Sequence, residues 1–171
     1  EALTRIAQRL QSWFTTMTAA GRAYEIDVRL RPDGAAGLLL STVSAFETYQ
    51  REKAWTWEHQ ALTRARYAAG DAATGASFEA IRNAIISRPR DWSALREEIM
   101  AMRARVSEGH PNRKPEQWFD IKHDAGGLVD LEFAVQAIVL RESGQHPTLR
   151  DNHGNIALAQ RSEDLGLIAP G

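Results

Sequence analysis

Leu3, Ile6, Leu10, Phe14 and Met17 recur at spacings of three and four, which predicts an amphipathic helix from Ala2 to about Met17, ended by Thr18-Ala19-Ala20-Gly21. The period then changes. Tyr24, Ile26, Val28 and Leu30 alternate with Glu25, Asp27, Arg29 and Arg31, the pattern of a half-buried strand with one apolar and one charged face, stopped by Pro32-Asp33-Gly34. Leu38-Leu39-Leu40-Ser41 reads as a second short strand. Beyond it the pattern is helical nearly to the end. Ser44 and Glu47 have the spacing of a capping box, so a helix is expected from Ser44, running with or into a close successor through Trp55, Trp57 and Leu62 to about Tyr67. Phe78, Ile81, Ile85 and Ile86 stripe another that must end before Pro89. Asp91 or Ser93 caps the next, whose Leu95, Ile99, Met102 and Val106 form the seam of a bundle helix. Residues 109–118 read as a loop and the first expected point of proteolysis, Phe119–Lys122 as a short extended segment, Leu128–Glu142 as a strong helix, and Asn152–Leu165 as a last helix with Gly166 past its end.

Composition narrows the chemistry. The 171 residues, 43% hydrophobic and 25% charged, suffice for one full-sized core, and the helical stripe that begins at Leu3 without an initial Met reads as a piece of something longer. With 21 Lys+Arg against 22 Asp+Glu there is no general basic excess, so neither a nucleic acid nor a membrane surface is an expected partner. The lack of Cys excludes disulfides, thiolate metal sites and thiol nucleophiles. The apolar runs around Leu38–Leu40 and Ala134–Leu140 are too short to cross a bilayer, and a cytoplasmic protein is expected.

Three segments could carry chemistry. In the predicted strand, Asp27, Arg29 and Arg31 share a face at about 7 Å between successive members, a carboxylate for a divalent cation beside two forks for phosphate oxygens. A solvated strand face with an ordinary ion pair is the commoner use of such a pattern. In the second segment a helix carrying His59, Arg64 and Arg66 could offer cations to a nucleotide, His59 and Arg66 lying seven apart on a shared face; a charged solvent face is again the plainer reading. In the third, Gly126-Gly127 permits close approach of backbone to a ligand, Asp124, Asp130 and Glu132 gather at a helix start, and Lys122 lies where it could reach a phosphate; acidic residues there also simply complement the helix dipole. The spacing is not that of a P-loop.

Taken together, the strings Tyr24-Glu-Ile-Asp-Val-Arg-Leu-Arg-Pro32, Ala54-Trp-Thr-Trp-Glu-His-Gln-Ala-Leu-Thr-Arg-Ala-Arg66 and Ile121-Lys-His-Asp-Ala-Gly-Gly-Leu-Val-Asp-Leu-Glu-Phe133 resemble, in this order, the glutamine synthetase adenylyltransferases, over essentially the whole chain. The second and third strings resemble the adenylylating, C-terminal half of that family. The resemblance implies a nucleotidyltransferase sheet with three acidic ligands for Mg2+, two of them in a Gly-Ser-x-x-Asp-x-Asp motif that is missing here, and Asp27 as the third, both metal ligand and catalytic residue. It implies ATP as substrate, glutamine synthetase as the protein modified, and a PII signal protein as a further partner. Arg29 and Arg31 would hold phosphate oxygens, and Lys122, Asp124 and Asp130 are expected along the far wall of the nucleotide site. The fold expected is mainly α: residues 1–42 as the back end of a truncated nucleotidyltransferase α/β core with one or two short strands, and 43–171 as a helical bundle truncated at its C-terminal end. With two ligands missing, the isolated chain is expected to be inactive.

A second class is a helical docking module for glutamine synthetase or a PII protein, without catalysis of its own, which exposed tryptophans would favour. Trp55 and Trp57, in their helical setting, are expected in the core, Trp118 less so. RNA nucleotidyl transfer shares the chemistry but lacks the basic and aromatic strip it would need.

Overall fold

The computed structural model describes residues 2–28, 34 and 37–169. The chain is mainly α, as expected: among the described residues it has seven α-helices and one two-stranded antiparallel sheet. It divides into two compact units, Glu1–Ala54 and Trp55–Gly171.

In the first unit, α1 (Ala2–Thr15) follows the predicted stripe but buries none of its residues, and Leu3, Ile6, Leu10 and Trp13 stay exposed. The sheet lies where a simple helix end was expected. Met17–Thr18 (β1) pairs with Gly21–Arg22 (β2), Gly21 taking φ of +96°, and the Thr18 hydroxyl donates to the Gly21 carbonyl at 2.6 Å. The predicted strand at Tyr24–Arg31 is not formed over its described part: residues 24–28 run without ladder pairing, and Arg29 and Arg31 lie outside the described residues. An alternating pattern becomes a strand only when a neighbouring strand takes its N–H and C=O groups, and among the described residues none does. Leu38–Ser41 is likewise irregular, with Leu38 exposed. Helix α2 (Val43–Glu52) starts one residue before the expected Ser44, because the Thr42 hydroxyl accepts from Ala45 N at 3.1 Å and takes the cap. Glu47 then pairs with Arg51 one turn on, at 2.8 Å.

The second unit is the bundle: α3 (Thr56–Thr63), α4 (Ala72–Ile86), α5 (Trp92–Gly109), α6 (Leu128–Glu142), a 3-10 turn at Pro147–Arg150, and α7 (Asn155–Asp164). Helix α6 lies at its centre against α3, α5 and α7, and α3 also packs on α4 and α5. The core is Leu62, the α4 pair Ile85 and Ile86, Leu95 and Ile99 of α5, Val135, Val139 and Leu140 of α6, and Leu149 with Leu158. Helix α3 is separate from α2 and shorter than the pattern suggests. Glu58 accepts from Trp55 N at 2.9 Å and so restarts the helix, which places Trp55 at the cap, 71% exposed rather than in the core. Asp71 and Asp91 cap α4 and α5, accepting from Thr74 N at 2.7 Å and Ala94 N at 2.8 Å. Of the segment Phe119–Lys122 expected to be extended, Phe119 and Asp120 are irregular and Ile121 and Lys122 open a turn.

The C-terminal carbonyls of three helices are held by arginines from elsewhere. Arg82, 3% exposed, donates from Nε to Leu62 O and from Nη2 to Thr63 O at the end of α3. Arg90 donates to Ile85 O and Ile86 O at the end of α4 and to Leu140 O of α6; burial and then the neighbouring Arg88 push its pKa down to about 10, so it remains the cation at neutral pH. Arg150 donates to Ser143 O after α6. Each cation sits where a helix dipole is negative.

Candidate functional site

In the first unit, Asp27 is exposed on the extended segment, in a shallow depression it shares with Thr15, Arg22, Glu25, Ile26 and Val28. Arg22 and Glu25 pair at 3.3 Å beside it. The expected row of Asp27 with Arg29 and Arg31 reaches beyond the described residues. Among the described residues no group of three or more His, Asp and Glu is placed to hold a metal ion.

In the second unit the residues of the second and third strings meet inside the bundle rather than on a solvent face. Glu58, His59 and Gln60 are buried on α3, His59 to 1% exposure with Nδ1 3.4 Å from an Arg88 guanidinium nitrogen. Gln60 Nε2 donates to Gln136 Oε1 at 3.1 Å, Gln136 Nε2 donates to Glu132 Oε1 at 3.2 Å, and Glu132 Oε1 lies 3.9 Å from Arg64 Nε. This polar seam joins α3 to α6 through the core, where a buried amide or guanidinium must be met by a partner of opposite character. Two of its atoms, Gln60 Oε1 and Arg64 Nη1, are buried without a partner among the described residues. Arg66 stands apart. Because α3 ends at Thr63, His59 and Arg66 do not share a helix face, and Arg66 is exposed in the segment that follows.

The third string forms a turn locked by its own side chains. Asp124 Oδ2 accepts from Asn112 Nδ2 at 2.7 Å and from Asp120 N at 2.8 Å, and Asp120 Oδ1 accepts from the N–H groups of Lys122 and His123. Asp130 accepts from Arg103 Nε and, at 2.6 Å, from Gly126 N, while Arg103 Nη2 donates to His123 O at 2.8 Å. Arg103 first, then the Gly126 N–H, hold the Asp130 carboxyl below the usual carboxylate range; Lys122 N and His123 do the same for Asp120. Gly127 is required for space rather than for φ: a Cβ there would lie 2.7 Å from Ile121 O and 2.9 Å from Asp124 O. The turn leaves the Lys122 side chain exposed. The His110 and His123 rings stack with centroids 4.3 Å apart.

The pattern did not single out Arg103, Gln136 and Asn112, each of which closes one of these networks, or Arg82, which clamps the end of α3. A sequence signal existed for two of them. Gln136 follows Glu132 by one turn within an otherwise apolar helix, and Arg82 interrupts the stripe between Ile81 and Ile85.

Comparison with known proteins bears on the whole arrangement. The model of the glutamate-ammonia ligase adenylyltransferase family matches residues 1–81. The chain is 55% identical over 168 residues, 98% of its length, to a bifunctional glutamine synthetase adenylyltransferase/adenylyl-removing enzyme of Bordetella bronchiseptica. Proteins of the same description from Nitrosomonas eutropha and Burkholderia mallei are 49% and 50% identical over 99% of the chain. The chain spans only 18% of the Bordetella bronchiseptica protein and of the Nitrosomonas eutropha protein, and 19% of that from Burkholderia mallei. With all three strings inside the aligned region, the chain is similar along nearly its whole length to these bifunctional glutamine synthetase adenylyltransferase/adenylyl-removing enzymes, of which it spans a small part.

Proposed function

We propose that the chain is a segment of an enzyme that transfers AMP from ATP to a tyrosine hydroxyl of glutamine synthetase with release of pyrophosphate, and that it derives from the adenylylating half rather than the half that removes AMP. The observation that carries this reading is identity of 55% across 98% of the chain with a protein described as having both activities. The choice of half rests on the wording Trp57-Glu58-His59-Gln60 and Asp130-Leu131-Glu132-Phe133.

Asp27 is the residue we assign to the reaction, as an exposed carboxylate on a segment whose next cations are Arg29 and Arg31. The described residues do not make up a magnesium centre by themselves. In our reading the remaining carboxylates come from other parts of the longer enzyme, since no Gly-Ser dipeptide occurs in the 171 residues. Arg66 and Lys122 are exposed cations for phosphate oxygens. Asp124 and Asp130, whose oxygens are engaged within the bundle, position the turn that presents Lys122. His59 and Arg64 act from inside, fixing α3 against α4 and α6.

In the full-length enzyme, Asp27→Asn is expected to lower AMP transfer by at least about 100-fold, the scale of losing a preorganised charge-stabilising group, with circular dichroism unchanged. Undiminished transfer would remove Asp27 from the site. The 171 residues alone are expected to show no transfer, and robust turnover by them would overturn the assignment of the other carboxylates to the rest of the enzyme.

One observation favours the second reading, in which the bundle docks glutamine synthetase or a PII signal protein: Trp55 and Trp118 are 71% and 55% exposed. Titration of the 171 residues with each protein separates the two. Saturable binding supports docking, and binding only by the full-length enzyme supports the catalytic segment alone.

A further inference from the structure

Arg103 reaches out of α5 with a side chain only 13% exposed and meets the turn before α6 with two donors. Its Nε donates to Asp130 Oδ1, and its Nη2 donates to His123 O at 2.8 Å. Those two acceptors flank the Gly126-Gly127 pair, where the backbone is least restrained by its own side chains and Gly126 takes φ of +86°. The Nε and Nη2 hydrogens lie on one edge of a rigid, planar guanidinium, so the fork fixes how its two acceptors sit beside each other. The arginine is a staple across the glycines. It ties the chain before them to the helix after them, and both to α5.

What the staple holds in place is the backbone of Lys122. Lys122 N donates to Asp120 Oδ1 at 2.9 Å, its carbonyl accepts from Val129 N at 3.1 Å, and the next carbonyl along the chain is the one that Arg103 takes. The His123 ring stacks on His110, the residue that ends α5, so α5 grips the neighbour of Lys122 twice, by its carbonyl and by its ring. Only the Lys122 side chain is left to solvent, and the reach of its flexible stem is set by where that backbone is fixed. Resting on the reading of Lys122 as a cation for the phosphates of ATP, we propose that Arg103 is a positioning residue for AMP transfer, holding the Lys122 turn against α5 where the ammonium meets the nucleotide. Its shape matters as well as its charge. A lysine at 103 keeps the charge opposite Asp130 but has one nitrogen in place of the two that serve Asp130 and His123 O.

The test measures AMP transfer by the full-length enzyme with ATP varied, in Lys122→Gln, Arg103→Lys and the two combined, with circular dichroism on each. Lys122→Gln is expected to raise the KM for ATP about tenfold, the scale of one charge-assisted hydrogen bond, with kcat little changed. Arg103→Lys should raise the same KM at least about threefold, the effect of a displaced contact, and the double variant should be no worse than Lys122→Gln alone, because a staple that acts through Lys122 then has nothing left to act on. A merely structural arginine gives a different result: kcat falls with the fraction of folded enzyme, KM stays, and the losses multiply in the double variant. That result, or an Arg103→Lys enzyme with the parent's KM where Lys122→Gln raises it, overturns the proposal and leaves the functional reading standing. A Lys122→Gln enzyme with the parent's KM overturns the placing of Lys122 on the phosphates, and the proposal with it. If Arg103→Lys does not fold, Asp130→Asn takes its place with the same expectations, since it keeps the size of the other member of the pair and removes its charge.

Discussion

Asp130 takes its two partners from different places, Arg103 on α5 and the Gly126 N–H in the turn before its own helix. Both favour the ionised form, so its pKa is lower in the folded protein than in the unfolded one. The stability it contributes is therefore present above the ordinary carboxylate value and is lost as pH falls through the lower, folded one. Urea midpoints should drop between about pH 6 and about pH 3 in the parent chain, and drop less in Asp130→Asn, which starts lower at the higher pH. Asp71 and Asp120, also depressed, contribute to the fall in both proteins and cancel in the comparison. The charge of Asp130 at a helix start was legible in the sequence. Its partner was not, because Arg103 lies 27 residues away and the two meet only through the packing of α5 on α6.

At the scale of the element, legibility follows the strength of the local stop signal. Helix α6 has the predicted bounds, set by the glycine pair before it and the Ser143-Gly144 step after it, and Asp91 caps α5 as anticipated. The junction of α2 and α3 was not legible, since Phe46, Trp55 and Trp57 keep an apolar pattern across it and the break is made by a Glu58 carboxylate on a backbone N–H. The strand expected at Tyr24–Arg31 is absent from its described part, 24–28, for a different reason: its pattern is local but its hydrogen bonds would have to come from another strand. Arg82 shows what a local pattern cannot reveal about a helix end. It caps α3 from α4, with Glu79 Oε2 3.6 Å from its Nη1 as counter-charge. Arg82→Met should cost about 2–4 kcal/mol of unfolding free energy in urea, by leaving two buried carbonyls and a carboxylate short of donors, and Arg82→Lys should recover part of it.

At the scale of the whole molecule, the candidate residues fall into both compact units: Asp27 in the first, and the seam and the locked turn in the second. The seam was visible in the sequence as a list of polar residues but not as a seam, because Gln60 and Gln136 stand 76 positions apart. The loop at 109–118 looked open to attack, yet Asn112 alone binds Trp118 O, Asp124 and Lys114 N within it and the turn that follows. Among the described residues, limited proteolysis followed by mass spectrometry should therefore cut first in the irregular, largely exposed stretches 23–28 and 37–42, and only later in 110–118. The three arginine clamps carry a further consequence for the bundle as a body. Helices ordinarily fray from their C-terminal turns, where the last carbonyls have no acceptor role inside the helix. With those carbonyls tied to Arg82, Arg90 and Arg150, the amides of residues 60–63, 83–86 and 139–142 should exchange with deuterium more slowly than those of 161–164 in α7, so that three of the helices melt as one body instead of peeling back from their ends.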